Sequence, residues 1–372
     1  MAAKSSAQSF EQNPLTEVLA PPPDSAAIRP EPSDLFRDNP VDLQVLRELE
    51  NRNILHAGQF SFEQVVELCK LAAILENIEV WPYHPLDGKI TVTAFFEAST
   101  RTRTSFESAI LRLDGKIISI ADGSTTGQAK GESLQDIGEM FNAYADLVIM
   151  RHTDTDAPER ILENLRAPLI NAGNGSGEHP TQALADWYAL LKWQPRLAEP
   201  YRRGQPKLNL GILGTPGSMR AVKSFLLMAL LFRDHIRKVT IISEMADPFG
   251  EDVTAQLGDA GITYEVTNDV REHLPDLDVI YMNSIAFLGD SYKTLDSRYK
   301  LNADSPLKKD AVILHPLARR DELDTSLDKT SHNLYFSQAH GAVFVRQALL
   351  MSVLGRLKAL PSFIDIENSS SD

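Results

Sequence analysis

Ile90-Thr91-Val92-Thr93-Ala94-Phe95-Phe96-Glu97-Ala98-Ser99-Thr100-Arg101-Thr102-Arg103-Thr104-Ser105-Phe106-Glu107 is the stretch on which the fold turns. Residues 90–96 are apolar, β-branched or aromatic, the composition of a buried strand. At Glu97 that run breaks into small hydroxyl residues, and helical spacing then carries Ser105 to Leu113. A strand that feeds a helix through a short polar turn leaves free backbone N–H groups and the positive end of the helix dipole at one spot. Hydroxyls of Ser99, Thr100 and Thr102 and the guanidinium of Arg101 add charge-assisted donors there, so residues 99–102 read as a phosphate cradle. It is not a Walker A loop, because no G-x-x-x-x-G-K-[ST] occurs in the chain. Arg103 and Glu107, four apart, read as a helix-surface ion pair.

Outward from this unit the same alternation repeats. Strands are expected at Lys116 to Ile120, Leu147 to Met150 and Pro168 to Asn171, with helices around Leu134 to Ala143 and Pro180 to Leu191. After a basic, proline-containing break at 194–207 it restarts. Strands follow at Leu208 to Leu213, Lys238 to Ser243, Val279 to Met282 and Ala311 to His315, with helices at Ala221 to Leu231, Val253 to Ala260 and Val345 to Leu357. Strands alternating with helices predict an α/β fold of two doubly wound parallel-sheet domains joined by helices, with the active site between them. The expected domains are 45–185, completed by the C-terminal helix 343–360, and 186–342. Residues 1–44 hold seven of the 21 prolines and are expected to form an extended or disordered arm, and 361–372 a polar tail.

Composition bounds the function. The chain has 372 residues and a formal net charge of −14, enough for about two domains. An acidic balance repels polyanions, which argues against a general nucleic-acid partner or an anionic membrane surface. An anionic substrate therefore requires a local cluster of cations. The longest apolar run, Phe225 to Phe232, is far below the roughly 20 residues a spanning helix needs, and no secretory h-region opens the chain. A cytoplasmic protein is expected. The single cysteine, Cys69, lies on the apolar stripe Phe62, Val65, Val66, Cys69, Ala72 and Ala73, and reads as a buried structural thiol. No metal site and no cofactor are expected.

Further motifs follow in order: Met150-Arg151-His152, His179-Pro180-Thr181-Gln182 with Asp186, His315-Pro316-Leu317 with Arg319 and Glu322, and Tyr335-Phe336 with Gln338-Ala339, Gly341, Arg346, Ala348 and Leu349. Arg151, at a strand end, can clamp a phosphate or pair with Asp154 or Asp156. His179 opens a helix after Gly173, Gly175 and Gly177, which allow close backbone approach, and on its own it reads as a helix cap. With the Ser99 to Thr102 cradle these segments resemble the aspartate/ornithine carbamoyltransferases, over residues 90 to 356 and with the last two sets nearest the aspartate branch.

The resemblance implies transfer of a carbamoyl group from carbamoyl phosphate to an amine. Catalytic roles fall on Arg101, Thr102, Arg151 and His179, and carbamoyl phosphate binding on Ser99, Thr100, Arg101, Thr102, Arg151, His179, Gln182, Pro316 and Leu317. Lys130, in Lys130-Gly131-Glu132, is implied to reach a neighbouring subunit's site, and with it a homotrimer or higher oligomer; alone it reads as a solvated loop lysine. Thr125 or Thr126 lies near the place of a phosphate-binding serine. Gly214-Thr215-Pro216-Gly217, with Glu244 ending the next strand, resembles a dinucleotide turn but lacks G-x-G-x-x-G; in the family it carries an arginine for the α-carboxylate, here Arg220.

Two positions depart from the pattern. Ser284 and Ala286 stand where the aspartate branch has the Arg and Gln that grip the second carboxylate, and losing such a guanidinium costs on the order of 2–5 kcal/mol when its partner is desolvated. Acceptor binding is then expected from Lys130, Arg220, Ser284 and Leu317. Ala318 replaces a proline that commonly follows a cis bond, and a cis peptide before Ala costs about 3–4 kcal/mol, so a changed loop is expected. L-aspartate, giving N-carbamoyl-L-aspartate and phosphate in pyrimidine biosynthesis, is the first reading of the acceptor. An amine without the second carboxylate and a non-catalytic paralogue that assembles with partner chains are the alternatives.

Overall fold

The computed structural model describes residues 30–78, 84–243, 245, 247–283 and 299–359. Strands β1 (Ile90–Phe95), β2 (Lys116–Ile120), β3 (Leu147–His152) and β4 (Leu169–Asn174) form a parallel sheet in the order β2-β1-β3-β4. A second parallel sheet has the order β7-β6-β5-β8-β9, from β5 (Leu208–Leu213), β6 (Ile236–Ile242), β7 (Tyr264–Thr267), β8 (Val279–Met282) and β9 (Val312–Leu314). In each sheet the chain leaves the first strand to one side and returns on the other. The crevice this opens at the strands' C-terminal ends lies between β1 and β3 in one sheet and between β5 and β8 in the other, the places where α/β sheets bind ligands.

Among the described residues ten α-helices cover the sheets: α1 (Leu43–Arg47), α2 (Phe62–Asn77), α3 (Thr100–Arg112), α4 (Leu134–Tyr144), α5 (Ala157–Leu162), α6 (Pro180–Trp193), α7 (Arg220–Ala229), α8 (Glu251–Ala260), α9 (Val270–His273) and α10 (Tyr335–Val353). Helix α3 starts five residues earlier than its periodicity predicts. Ser99 takes the extended N-cap conformation and the Thr104 hydroxyl donates to the Thr100 carbonyl (2.8 Å), so the hydroxyl-rich stretch winds as the first turn. Helix α10 starts ten residues before the expected Val345, its small and polar first turns being helical because they pack on α6, α2 and α3. The four-residue edge strand β7, with Tyr264 and Val266 partly exposed, escaped the apolar count.

Helix α6 joins the halves. Trp187 stacks on Phe232 (centroids 3.9 Å apart) and on Phe225 of α7 (5.8 Å), and Phe225 stacks on Tyr281 of β8 (4.3 Å). The stack belongs to one apolar core that draws on both sheets. On the far side of α6, Lys192 pairs with Glu76 of α2 (2.8 Å) and the Tyr188 hydroxyl donates to the same carboxylate, with His340 of α10 3.4 Å away. Buried ions of this kind persist only when paired and hydrogen-bonded. Burial by itself would raise the Glu76 carboxyl, yet these partners hold it down at about 2. Cys69 is free and fully buried, and burial pushes its thiol well up.

The expected N-terminal arm ends sooner than position 44. Residues 32–35 form a 3-10 turn that buries Leu35, Asp42 N–H donates to Glu67 Oε2 (2.7 Å), and Leu46 of α1 is fully buried. Apolar anchors at Leu35, Phe36, Val41 and Leu43 outweigh the prolines over this stretch. Residues 1–29 and the 361–372 tail lie outside the described residues.

Gly341 of α10 tests the packing of these helices. A Cβ there meets the buried Tyr188 ring at 2.8 Å, so overpacking of about 1–3 kcal/mol opposes the helix-propensity gain of up to about 1 kcal/mol. Gly341→Ala is expected to lose about 1–2 kcal/mol in denaturant unfolding; a stabilised variant contradicts this packing.

Candidate active site

The two switch points face one cleft of about 790 Å³. From the first sheet come Ser99, Arg101 and Thr102 after β1 and Arg151 at the end of β3. Ser99 makes no capping bond with its own hydroxyl, and among the described residues Arg101 pairs with no carboxylate, so both are open to a ligand. Thr100 is exposed and is not part of the cleft wall. Arg103 takes the predicted surface pair with Glu107 (3.4 Å).

Arg151 pairs with neither Asp154 nor Asp156. Its Nη2 meets Glu97 Oε1 at 2.9 Å, and Asp154 instead lies 3.5 Å from Arg160. The same Glu97 carboxylate receives both Nη atoms of Arg220 at the start of α7 (2.7 and 2.9 Å). Arg220 Nη1 also donates to the Gly175 carbonyl (2.8 Å). Partial burial would raise Glu97, but the two guanidinium groups hold it below the usual carboxylate range, while burial and then the neighbouring Arg220 lower Arg151. Gly173, at φ +117, makes room for this cluster: a Cβ would stand 3.2 Å from Arg151 Nη1 and 3.3 Å from Arg220 Nε. Sequence reading quoted Glu97 without giving it a role, because its partners are 54 and 123 residues away.

His179 takes the N-cap position of α6. Its N–H donates to Ser224 Oγ (2.8 Å), and its Nε2 lies 3.5 Å from Thr102 Oγ1. Burial, then Arg151, Arg346 and Arg220, push its imidazole well below the usual value, so the ring is neutral at pH 7 and keeps one N–H to donate. Gln182, one turn on, reaches Asp186 (2.7 Å). Gln338 of α10 meets the same Asp186 oxygen (2.5 Å) and accepts from His315 N–H (2.9 Å). Arg346 is fully buried in the cleft wall against Ser105, its guanidinium 4.6 Å from the Phe106 ring centroid.

Pro316 and Leu317 form the opposite wall. His315 Nδ1 accepts from Leu317 N–H (2.8 Å), so its Nε2–H faces Glu322 (3.0 Å). The Leu317–Ala318 peptide is cis although no proline follows it. Arg319 is taken up by Asp328 and Tyr335, and Arg320 is exposed outside the cleft. Lys130 and Thr126 lie on turns that do not line the cleft: Lys130 is exposed and the Thr126 hydroxyl is spent on the Gly123 carbonyl. Ser284, Ala286 and Glu244 fall outside the described residues, although Asn283 reaches the cleft. Among the described residues no group of acidic, His and Cys side chains is arranged to hold a metal, and no helix is long and apolar enough to cross a membrane.

Four arginines, Arg101, Arg151, Arg220 and Arg346, line the cleft with the neutral His179 imidazole, and two of them, Arg151 and Arg220, share the Glu97 carboxylate. Such a site binds anions and stabilises charge that develops between them. Comparison with known proteins agrees with this chemistry. Residues 52–192 match the family described as aspartate/ornithine carbamoyltransferase, carbamoyl-P binding domain, and residues 207–353 the Asp/Orn binding domain of the same family. The aspartate carbamoyltransferase catalytic subunit of Clostridium kluyveri is 33% identical over 313 residues, covering 82% of this chain and 99% of that protein. That of Aliivibrio fischeri is 38% identical over 277 residues, covering 72% and 86%. The crystal structure of aspartate transcarbamoylase from Trypanosoma cruzi with carbamoyl aspartate and phosphate superposes with a TM-score of 0.74 at 29% identity, covering 83% of this chain and 98% of that one.

The His179 environment has a measurable consequence. With a folded-state value below the unfolded one near 6.5, its contribution to stability is intact above that pH and is lost as pH falls below it. Nitrogen-15 NMR is expected to show the ring neutral and untitrated between pH 8 and 6; an inflection in that range contradicts the burial argument.

Proposed function

The chain belongs to the aspartate/ornithine carbamoyltransferase family and is a carbamoyltransferase, and on that premise we propose that L-aspartate is its acceptor, giving N-carbamoyl-L-aspartate and phosphate. The observation that carries this reading is the Glu97 bridge, which sets Arg151 at the phosphate cradle and Arg220 at the turn of the second sheet into one cleft. Arg101, Thr102 and Arg151 neutralise the phosphate. His179, with Thr102, donates to the carbamoyl oxygen as negative charge grows on it. The neutral amine attacks the carbamoyl carbon, the C–N bond forms, the C–O bond to phosphate breaks, and the departing phosphate takes the amine's proton. Gln182 and the backbone of Pro316 and Leu317 orient the carbamoyl group, and Arg220 takes the α-carboxylate.

We assign 45–185 with 343–360 to carbamoyl phosphate and 186–342 to the acceptor. Lys130, exposed and off its own chain's cleft, fits a homotrimer in which it completes a neighbour's site. With aspartate as acceptor the reaction belongs to pyrimidine biosynthesis, and we read the protein as cytoplasmic. The second reading, an amine without the second carboxylate, is favoured by Ser284 and Ala286 in place of the expected cations and amides.

The test is phosphate release from carbamoyl phosphate across a panel of amino acids and amines. Turnover with aspartate at millimolar concentration or below is expected, and turnover only with monocarboxylate amines selects the second reading. No phosphate release with any amine, despite bound carbamoyl phosphate, would falsify the transferase assignment. Ser284→Arg is expected to lower the aspartate KM by about tenfold or more.

A further inference from the structure

We infer that Asp186 is a positioning residue that fixes the amide orientation of Gln182 and, through it, the way the carbamoyl group lies in the cleft; this rests on the carbamoyl-transfer reading. Asp186 sits one turn after Gln182 on α6 and is fully buried. Its Oδ1 receives Gln182 Nε2 (2.7 Å) from its own helix and Gln338 Nε2 (2.5 Å) from α10. A carboxylate oxygen only accepts, so each amide must turn its NH2 toward it. With its nitrogen held, Gln182 presents Oε1 as the free end of an amide that lines the cleft.

The identity of that free atom decides the chemistry. The carbamoyl NH2 carries two donors and requires acceptors opposite it, while a Gln182 turned the other way would set NH2 against NH2. Gln338 extends the constraint, since its Oε1 accepts from His315 N–H (2.9 Å), at the head of the segment whose Pro316 and Leu317 form the other wall. One buried carboxyl thus registers both sides of the carbamoyl subsite, across the boundary between the two sheets. The Tyr281 hydroxyl of β8 also faces this carboxyl, and burial pushes the group up to about 7 against the pull of the two amides, of Tyr281 and of Arg346. Protonated on Oδ2, the group still accepts both amides at Oδ1.

The readout is discrimination between carbamoyl phosphate and acetyl phosphate, which puts CH3 where the carbamoyl group has NH2. Wild type is expected to prefer the carbamoyl compound on the order of 10- to 100-fold, the worth of well-made hydrogen bonds to a desolvated NH2. Asp186→Asn, which lets its own NH2 face Gln182 and frees the flip, is expected to lose most of that preference while inorganic phosphate binds within about twofold of wild type. In a double-mutant cycle the loss in D186N and in Q182A is expected not to add, because both act through one amide. Additive losses, or a preference kept in D186N, overturn the inference. Gln182 is only half-buried at the cleft, so Q182A stands as the test should D186N not fold: a preference that survives in Q182A overturns it equally. Failure of the transferase reading looks different, since wild type itself would then release no phosphate.

Discussion

Glu97 accepts from two guanidinium groups that belong to different halves of the molecule: Arg151 at the end of β3 and Arg220 at the head of α7. Two cations this close in a partly desolvated cleft repel one another, and neither has a second carboxylate among the described residues. The shared carboxylate turns that repulsion into a three-membered network whose geometry is bidentate on the Arg220 side, the arrangement in which a guanidinium is most directional. The consequence is architectural. The turn after β1 and the turn after β5 are fixed in one cleft by a group located between them, and the Trp187, Phe225 and Tyr281 stack behind α6 holds the same alignment from the apolar side.

Within that frame the chemistry is electrostatic. His179 is too buried, and too closely surrounded by Arg151, Arg346 and Arg220, to carry a charge at neutral pH. In the proposed reaction it serves as a donor rather than an acid; its backbone is held by Ser224 while its ring faces Thr102. Catalysis of this kind depends on donors that are in place before charge appears, which is why so many of the cleft's side chains are tied to one another rather than to solvent.

The chain alternation made the two parallel sheets legible, and Ser99, Arg101 and Thr102 marked a wall of the cleft because strand, turn and helix start are contiguous. What escaped the sequence is what no local pattern encodes. The partners of Glu97 are 54 and 123 residues away, and Gln338 lies 152 residues from Asp186. The first turns of α10 carry Gly341 and polar side chains, so their helicity comes from packing on Tyr188 rather than from propensity. Leu35 and Phe36 pull the end of a proline-rich segment onto the core, an effect of burial that composition averages away. Ala318 keeps the cis bond despite losing the proline that signalled it.

The most direct measurement is made on Glu97→Gln, with affinity for inorganic phosphate and the KM for the amine acceptor determined side by side. If Glu97 is the registration point between the halves, phosphate affinity is kept or rises within a few-fold, since a negative charge has left Arg151, while the acceptor KM rises by about tenfold or more as Arg220 loses its anchor. An acceptor KM unchanged from wild type would show that Arg220 is positioned without Glu97 and would contradict the account.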